Sequence, residues 1–287
     1  MEIFLYLIIF FIGTVFGSFF TLAVYRIPLN KNITHERSFC PNCNHRLEAL
    51  DLIPVWSYIF LRGKCRYCKT KVRPRYIILE VLSGIVFVLA FISMKISFLD
   101  ISYLYLGINQ NNTLQKLIYL LAFIFFYVTN AIIIGIDKEY KTINKKVLIF
   151  GIITEMIYIL YLYIFEQINI YRYGIYLIII LLLVIILKYT VGPDASVRSH
   201  NNIKYIIQNL IYLTYIMMFI NNLNIIFVII ISLLIYAILY IISVGADVSV
   251  RPQKNNIDYK PKNQIPIGFG LGISSIIIVI IQNFIIV

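Results

Sequence analysis

Stretches of about 20 mostly apolar residues, the length a helix needs to cross the hydrocarbon core of a bilayer, recur along the 287-residue chain. They fall near residues 3–24, 76–97, 115–136, 147–165, 173–190, 205–221, 224–243 and 267–286, and predict eight transmembrane helices. One long polar run breaks the pattern, Ser38 to Arg75, between the first and second stretches. The expected fold is therefore all-α and polytopic, with a small four-cysteine insertion. The expected divisions are a first transmembrane helix at 1–25, a cysteine-rich domain at 26–75 and a membrane-embedded domain at 76–287. No small-residue cleavage site precedes Tyr25, so the first stretch reads as a spanning helix rather than a removed signal.

Composition agrees, with 61% hydrophobic and 13% charged residues, about half the charge of an ordinary soluble domain. The net charge of +12 would suggest nucleic acid in a soluble protein. Here the basic residues form no stripe interleaved with aromatics, and nucleic acid is excluded as a partner. They carry a topology signal instead. Eleven of the 25 lie from Arg26 to Arg75, and others follow the third, fifth and seventh stretches, leaving Lys95, Lys116 and Arg172 elsewhere. With eight helices those places share one side, which the positive-inside rule makes cytoplasmic. The expectation is a multi-pass protein of the inner or plasma membrane, its cysteine domain cytoplasmic and both termini outside.

All four cysteines, Cys40, Cys43, Cys65 and Cys68, lie in the polar run. Two Cys-x-x-Cys turns can fold back so that four thiolates meet in a tetrahedron around zinc. Two disulfides or two redox pairs are the alternatives, and a reducing cytoplasm favours the metal. Four thiolates leave no open coordination position, which makes the role structural.

Few acids fall in or beside the spans. Asp137 closes the third, and Asp194 and Asp247 close the fifth and seventh. Two such carboxylates within a few Å of each other would share one proton. One could then hold a water as general base while the other polarises a peptide carbonyl. The plain alternative is three solvated aspartates paired with Lys138, Arg198 and Arg251. Glu155 lies within a span, and Glu80 is expected to pair with Arg75 or cap the cysteine segment. His35, His45 and His200 share no ligand spacing, although His45 could neighbour the metal. The loops Val191–Tyr205 and Val244–Tyr259 echo each other, each with one aspartate. No phosphate loop, nucleophile elbow or His-Glu-x-x-His is present.

Taken together these residues resemble the type IV prepilin peptidases (prepilin leader peptidase/N-methyltransferase). Gly17-Ser18-Phe19 through Tyr25-Arg26-Ile27-Pro28 is similar to that family's opening motif, and CPNCNHRL, DLIPVWSYIFLRGKCRYCK and RYIILEVLSG to its cysteine domain. Ile136-Asp137 through Ile143-Asn144 resembles the first catalytic segment. The second, a Gly-x-Gly-Asp motif, has its counterpart by span order at Asp194, where Val191-Gly192-Pro193 departs from it; Asp247, after Gly245-Ala246, is the alternative. Ile265-Pro266-Ile267-Gly268 is similar to a further family segment, Ile-Pro-Phe-Gly. The resemblance implies an intramembrane aspartic endopeptidase that removes the basic leader from type IV prepilins or pseudopilins. It also implies structural Zn2+ on the four cysteines and, where the new N-terminus is methylated, S-adenosylmethionine. Two other classes stand beside it: an ion-carrying transporter, and an assembly or docking protein whose altered motif has lost activity.

Overall fold

The computed structural model describes residues 1–33, 37–106, 110–166, 197–220, 222–245 and 266–285, with scattered positions between 168 and 185. Among them the long elements are all helical: α1 (Glu2–Arg26), α2 (Trp56–Phe60), α3 (Arg75–Ser93), α4 (Phe98–Leu106), α5 (Gln110–Tyr140), α6 (Lys145–Glu166), α7 (Val197–Phe219), α8 (Asn222–Gly245) and α9 (Ile267–Ile285). There is no extended strand among the described residues. In a bilayer this is the expected outcome, because only a helix satisfies its own backbone without water. Among the described residues five helices, α1, α3, α5, α6 and α9, are long and apolar enough to cross a membrane, and the chain is a multi-pass membrane protein. Of the remaining expected spans, 205–221 falls mostly within α7 and 224–243 within α8, while most of 173–190 lies outside the described residues. Of the first echoing loop, residues 197–205 are not a loop but the opening turns of α7, while 191–196 and 246–259 lie outside the described residues.

The chain divides into two compact units, Met1–Ile124 with Asn283–Val287, and Phe125–Gln282. In the first, α1 and α3 pack backbone to backbone. A side chain at Gly13 would meet the Ser83 carbonyl at 2.7 Å, and one at Gly17 would meet Glu80 Cα at 2.7 Å. Small residues four apart let membrane helices approach this closely, gaining packing where no hydrophobic force acts between them. At the end of α1 the buried Arg26 turns the chain back. Its guanidinium donates to the carbonyls of Asn32 at 3.1 Å and Ile33 at 3.3 Å.

A second tie fixes the cysteine segment to α3. The Glu80 carboxylate accepts the Val55 backbone N–H at 2.7 Å. Val55 has φ of +64°, and the Trp56 N–H donates to the Pro54 carbonyl at 2.6 Å, which makes a γ-turn centred on a β-branched residue. Such backbone costs about 1–3 kcal/mol. A hydrogen bond to a charged group contributes about 1.5–3 kcal/mol, enough to hold the turn. The expectation for Glu80 thus resolves in favour of holding the cysteine segment.

The second unit is built on stacked aromatics. Phe126 lies against Phe219 with centroids 4.5 Å apart and against Tyr215 at 5.5 Å. Asn130, fully buried, accepts from the Tyr212 hydroxyl and donates to the Phe126 carbonyl at 2.7 Å. Glu155 is also buried, on the inward face of α6, and its Oε2 has no hydrogen-bond partner among the described residues.

Replacing Gly17 with Leu should force α1 from α3 and cost at least the 1–3 kcal/mol typical of overpacking, an order-of-magnitude figure. Thermal unfolding of the purified protein would show a lowered midpoint. An unchanged midpoint would mean that the two helices do not meet at that residue.

Candidate functional site

The cysteine segment folds as two copies of one turn. In the first, the Cys40 N–H donates to the His45 carbonyl and the Asn44 N–H to the Cys40 carbonyl. In the second, Cys65 donates to Thr70 and Lys69 to Cys65. Single antiparallel bridges close both, Phe39 to Arg46 and Lys64 to Lys71. Asn44 and Lys69 occupy the left-handed region at φ of +56° and +58°. Asn is at ease there and Lys less so. Each turn aims two sulfurs at the other turn. All four sulfurs lie within 4.8 Å of one another, and Cys40 Sγ is 3.8 Å from Cys68 Sγ. A tetrahedron with Zn–S bonds of about 2.3 Å has edges of about 3.8 Å. The four free thiols therefore form a cluster that could hold a metal ion, with the edge length that zinc would ask for.

The surroundings favour a thiolate at Cys68, while Cys43, beside Cys68 and Cys40, is pushed up to about 11. The Thr70 hydroxyl and backbone N–H, helped by the Asn42 amide, bring the Cys68 thiol down to about 5. Asn42 also donates to the Thr70 hydroxyl at 2.8 Å, which joins the two turns. Asp51, in the connection between the turns, ties that connection to the second turn, taking the Arg66 guanidinium at 2.5 Å and the Tyr67 hydroxyl at 3.1 Å. Burial works to raise the Asp51 carboxyl. The Arg66 guanidinium, the Glu48 N–H and Tyr67 outweigh it and hold it below the ordinary carboxylate range. His45 is stacked on Tyr67 with centroids 3.6 Å apart; it supports the second turn.

Asp137 lies near the end of α5 and is fully buried. One carboxylate oxygen accepts the Tyr205 hydroxyl at 2.7 Å, and the other accepts the Phe269 backbone N–H at 2.9 Å. The Tyr205 oxygen accepts in turn the Ile267 N–H at 2.9 Å. The carboxylate is thus seated on the first turn of α9, where backbone N–H groups point outward and the helix dipole is positive. Pro266 precedes that turn. A side chain at Gly268 would come within 3.2 Å of both Asp137 Oδ2 and Asn209 Oδ1, so the bare backbone makes room for them. Asn144 Oδ1 accepts the Lys146 N–H at 2.9 Å and caps α6. Ile136 and Ile143 are buried.

The structure thus gathers Cys40, Cys43, Cys65 and Cys68, and gives Asp137 a built seat. Asp194 and Asp247 lie outside the described residues, as does His35. Sequence reasoning passed over Tyr205 and Asn209, four residues apart on α7; the polar side chains in an otherwise apolar stretch were the available signal.

Residues 11–94 match a family model described as the bacterial peptidase A24 N-terminal domain. A prepilin leader peptidase/N-methyltransferase of Klebsiella pneumoniae is 38% identical over 84 residues, 27% of this chain and 37% of that protein. One from Myxococcus xanthus is 38% identical over 79 residues (28% and 24%), and one from Bacillus subtilis 38% over 90 residues (31% and 36%). The chain thus spans between a quarter and somewhat over a third of the length of these relatives. No solved structure matches it. The resemblance to the prepilin peptidases is borne out over residues 11–94, the stretch that matches the bacterial peptidase A24 N-terminal domain and these relatives.

Proposed function

We propose that this protein is a membrane endopeptidase that removes the basic leader from type IV prepilins or pseudopilins at the cytoplasmic membrane face. The observation that carries the reading is the match over residues 11–94 to proteins named for that activity. In this reading residues 26–75 are its zinc-binding domain, with Zn2+ on Cys40, Cys43, Cys65 and Cys68, and residues 76–287 its aspartic peptidase domain. The cysteine domain faces the cytoplasm and both termini lie outside. Asp137 acts with Asp194, or with Asp247 in its place. One carboxylate takes a proton from water as it attacks the scissile carbonyl, and the other gives a proton to the carbonyl oxygen. The first then passes its proton to the amide nitrogen as the C–N bond breaks, so that the amine leaves and the tetrahedral carbon collapses to the acid, returning a proton to the second. A basic leader followed by an apolar helix puts the scissile bond at the bilayer edge. Methylation of the new N-terminus, with S-adenosylmethionine as donor, belongs to the same reading through the relatives' names.

Tyr205 and the α9 N-terminus support the role given to Asp137, because donors aimed at a carboxylate fix the lone pair that faces water. Asp137→Asn or Asp194→Asn should abolish processing of a co-expressed prepilin while the protein stays in the membrane. Processing by Asp194→Asn but not by Asp247→Asn would reassign the partner. Tyr205→Phe removes one donor and should lower kcat about 10-fold or more with little change in KM; equal loss in KM would make Tyr205 a substrate contact. Cys65→Ser should release the metal. Elemental analysis of the parent is expected to return one zinc per chain, and a parent without zinc would remove that part of the proposal.

A further inference from the structure

The short helix α2 presents Trp56, Ile59 and Phe60 on one face, at positions i, i+3 and i+4. All three are exposed, Phe60 at 76%, and the rings of Trp56 and Phe60 stack with centroids 5.9 Å apart. Such a face is unusual in a polar insertion. Its place along the membrane normal is fixed by the Val55–Glu80 hydrogen bond. Glu80 lies five residues into α3, about 7.5 Å below the helix start at 1.5 Å per residue. The whole of α3, 19 residues or about 28 Å, is only as long as the hydrocarbon core is thick, about 30 Å. The γ-turn at Val55 therefore brings the start of α2 down to the boundary between headgroups and acyl chains. Interfacial helices lie about 5–10 Å deep at that boundary.

The neighbourhood suits that depth. Beside Glu80 on α3, Ile78, Leu79 and Leu82 are exposed apolar residues of a helix long and apolar enough to cross a membrane, so the Val55–Glu80 bond attaches α2 at a level where α3 itself presents apolar surface. Beyond α2 stand the exposed cations Arg62, Lys64, Lys69, Lys71 and Arg73, whose charge complements anionic headgroups.

We propose that α2 is an interfacial anchor: Trp56, Ile59 and Phe60 insert into the lipid leaflet on the side of the cysteine module, and the basic residues behind them hold anionic headgroups. The module is then moored to the bilayer by this face as well as by its two chain ends. The inference rests on α1 and α3 crossing the membrane and is independent of the peptidase reading.

Trp56 is the single tryptophan of the chain, so its emission reports on the face directly. The full chain would be reconstituted into vesicles of phosphatidylethanolamine and phosphatidylglycerol carrying brominated acyl chains. Bromines near the headgroup end should remove most of the emission, bromines at the chain tips should remove less, and aqueous iodide should quench little. Ile59→Ser with Phe60→Ser should restore iodide access. Emission unaffected by brominated lipid and fully open to iodide would overturn the proposal. So would iodide quenching that only a peptide with a basic leader and an apolar helix suppresses, which would make the face a docking site for such a segment.

Discussion

A carboxylate buried away from bulk water is costly unless it is hydrogen-bonded, so donors from the protein itself must hold it. The seat of Asp137 answers that constraint. It takes a hydroxyl from α7 and a backbone N–H from α9, and so joins the end of α5 to α7 and to the start of α9 through one side chain. The requirement explains why Gly268 has no side chain to spare room for, and why Pro266 can stand just before α9, where no intrahelical N–H is wanted. Opposing helix ends act on the carboxylate together: the negative end of its own α5 and the positive end of α9.

The cysteine module follows a different logic. It has little apolar interior, and below about 40 residues a fold usually needs a metal or cross-links to hold it. Two copies of one turn, with matching hydrogen bonds and matching left-handed residues, bring four sulfurs within 4.8 Å of one another, the Cys40–Cys68 pair at 3.8 Å. Asn42 and the His45–Tyr67 stack then lock the copies together, and Asp51 ties their connection to the second. Glu80 ties the result to α3.

Much of this was legible in the sequence. Apolar runs locate helices, because a bilayer demands about 20 such residues in a row, and Cys-x-x-Cys spacing announces its own geometry. The seat of Asp137 was not legible, since its donors come from 68 and 132 residues away, and local pattern says nothing about which distant helix end will arrive. Gly13 and Gly17 were hidden differently, because in an apolar run a glycine pair reads as more of the same until the partner helix is seen. The strained Val55 could not be foreseen, because only the carboxylate of Glu80 makes it tenable.

The proposed function has this chain cut a peptide bond at the membrane edge. The most direct measurement is mass spectrometry of a prepilin from the same source after incubation with the purified chain in lipid. The account predicts a product shortened by the basic leader at a single bond. A prepilin recovered at full length, with the protein shown to be folded and loaded with zinc, would contradict it.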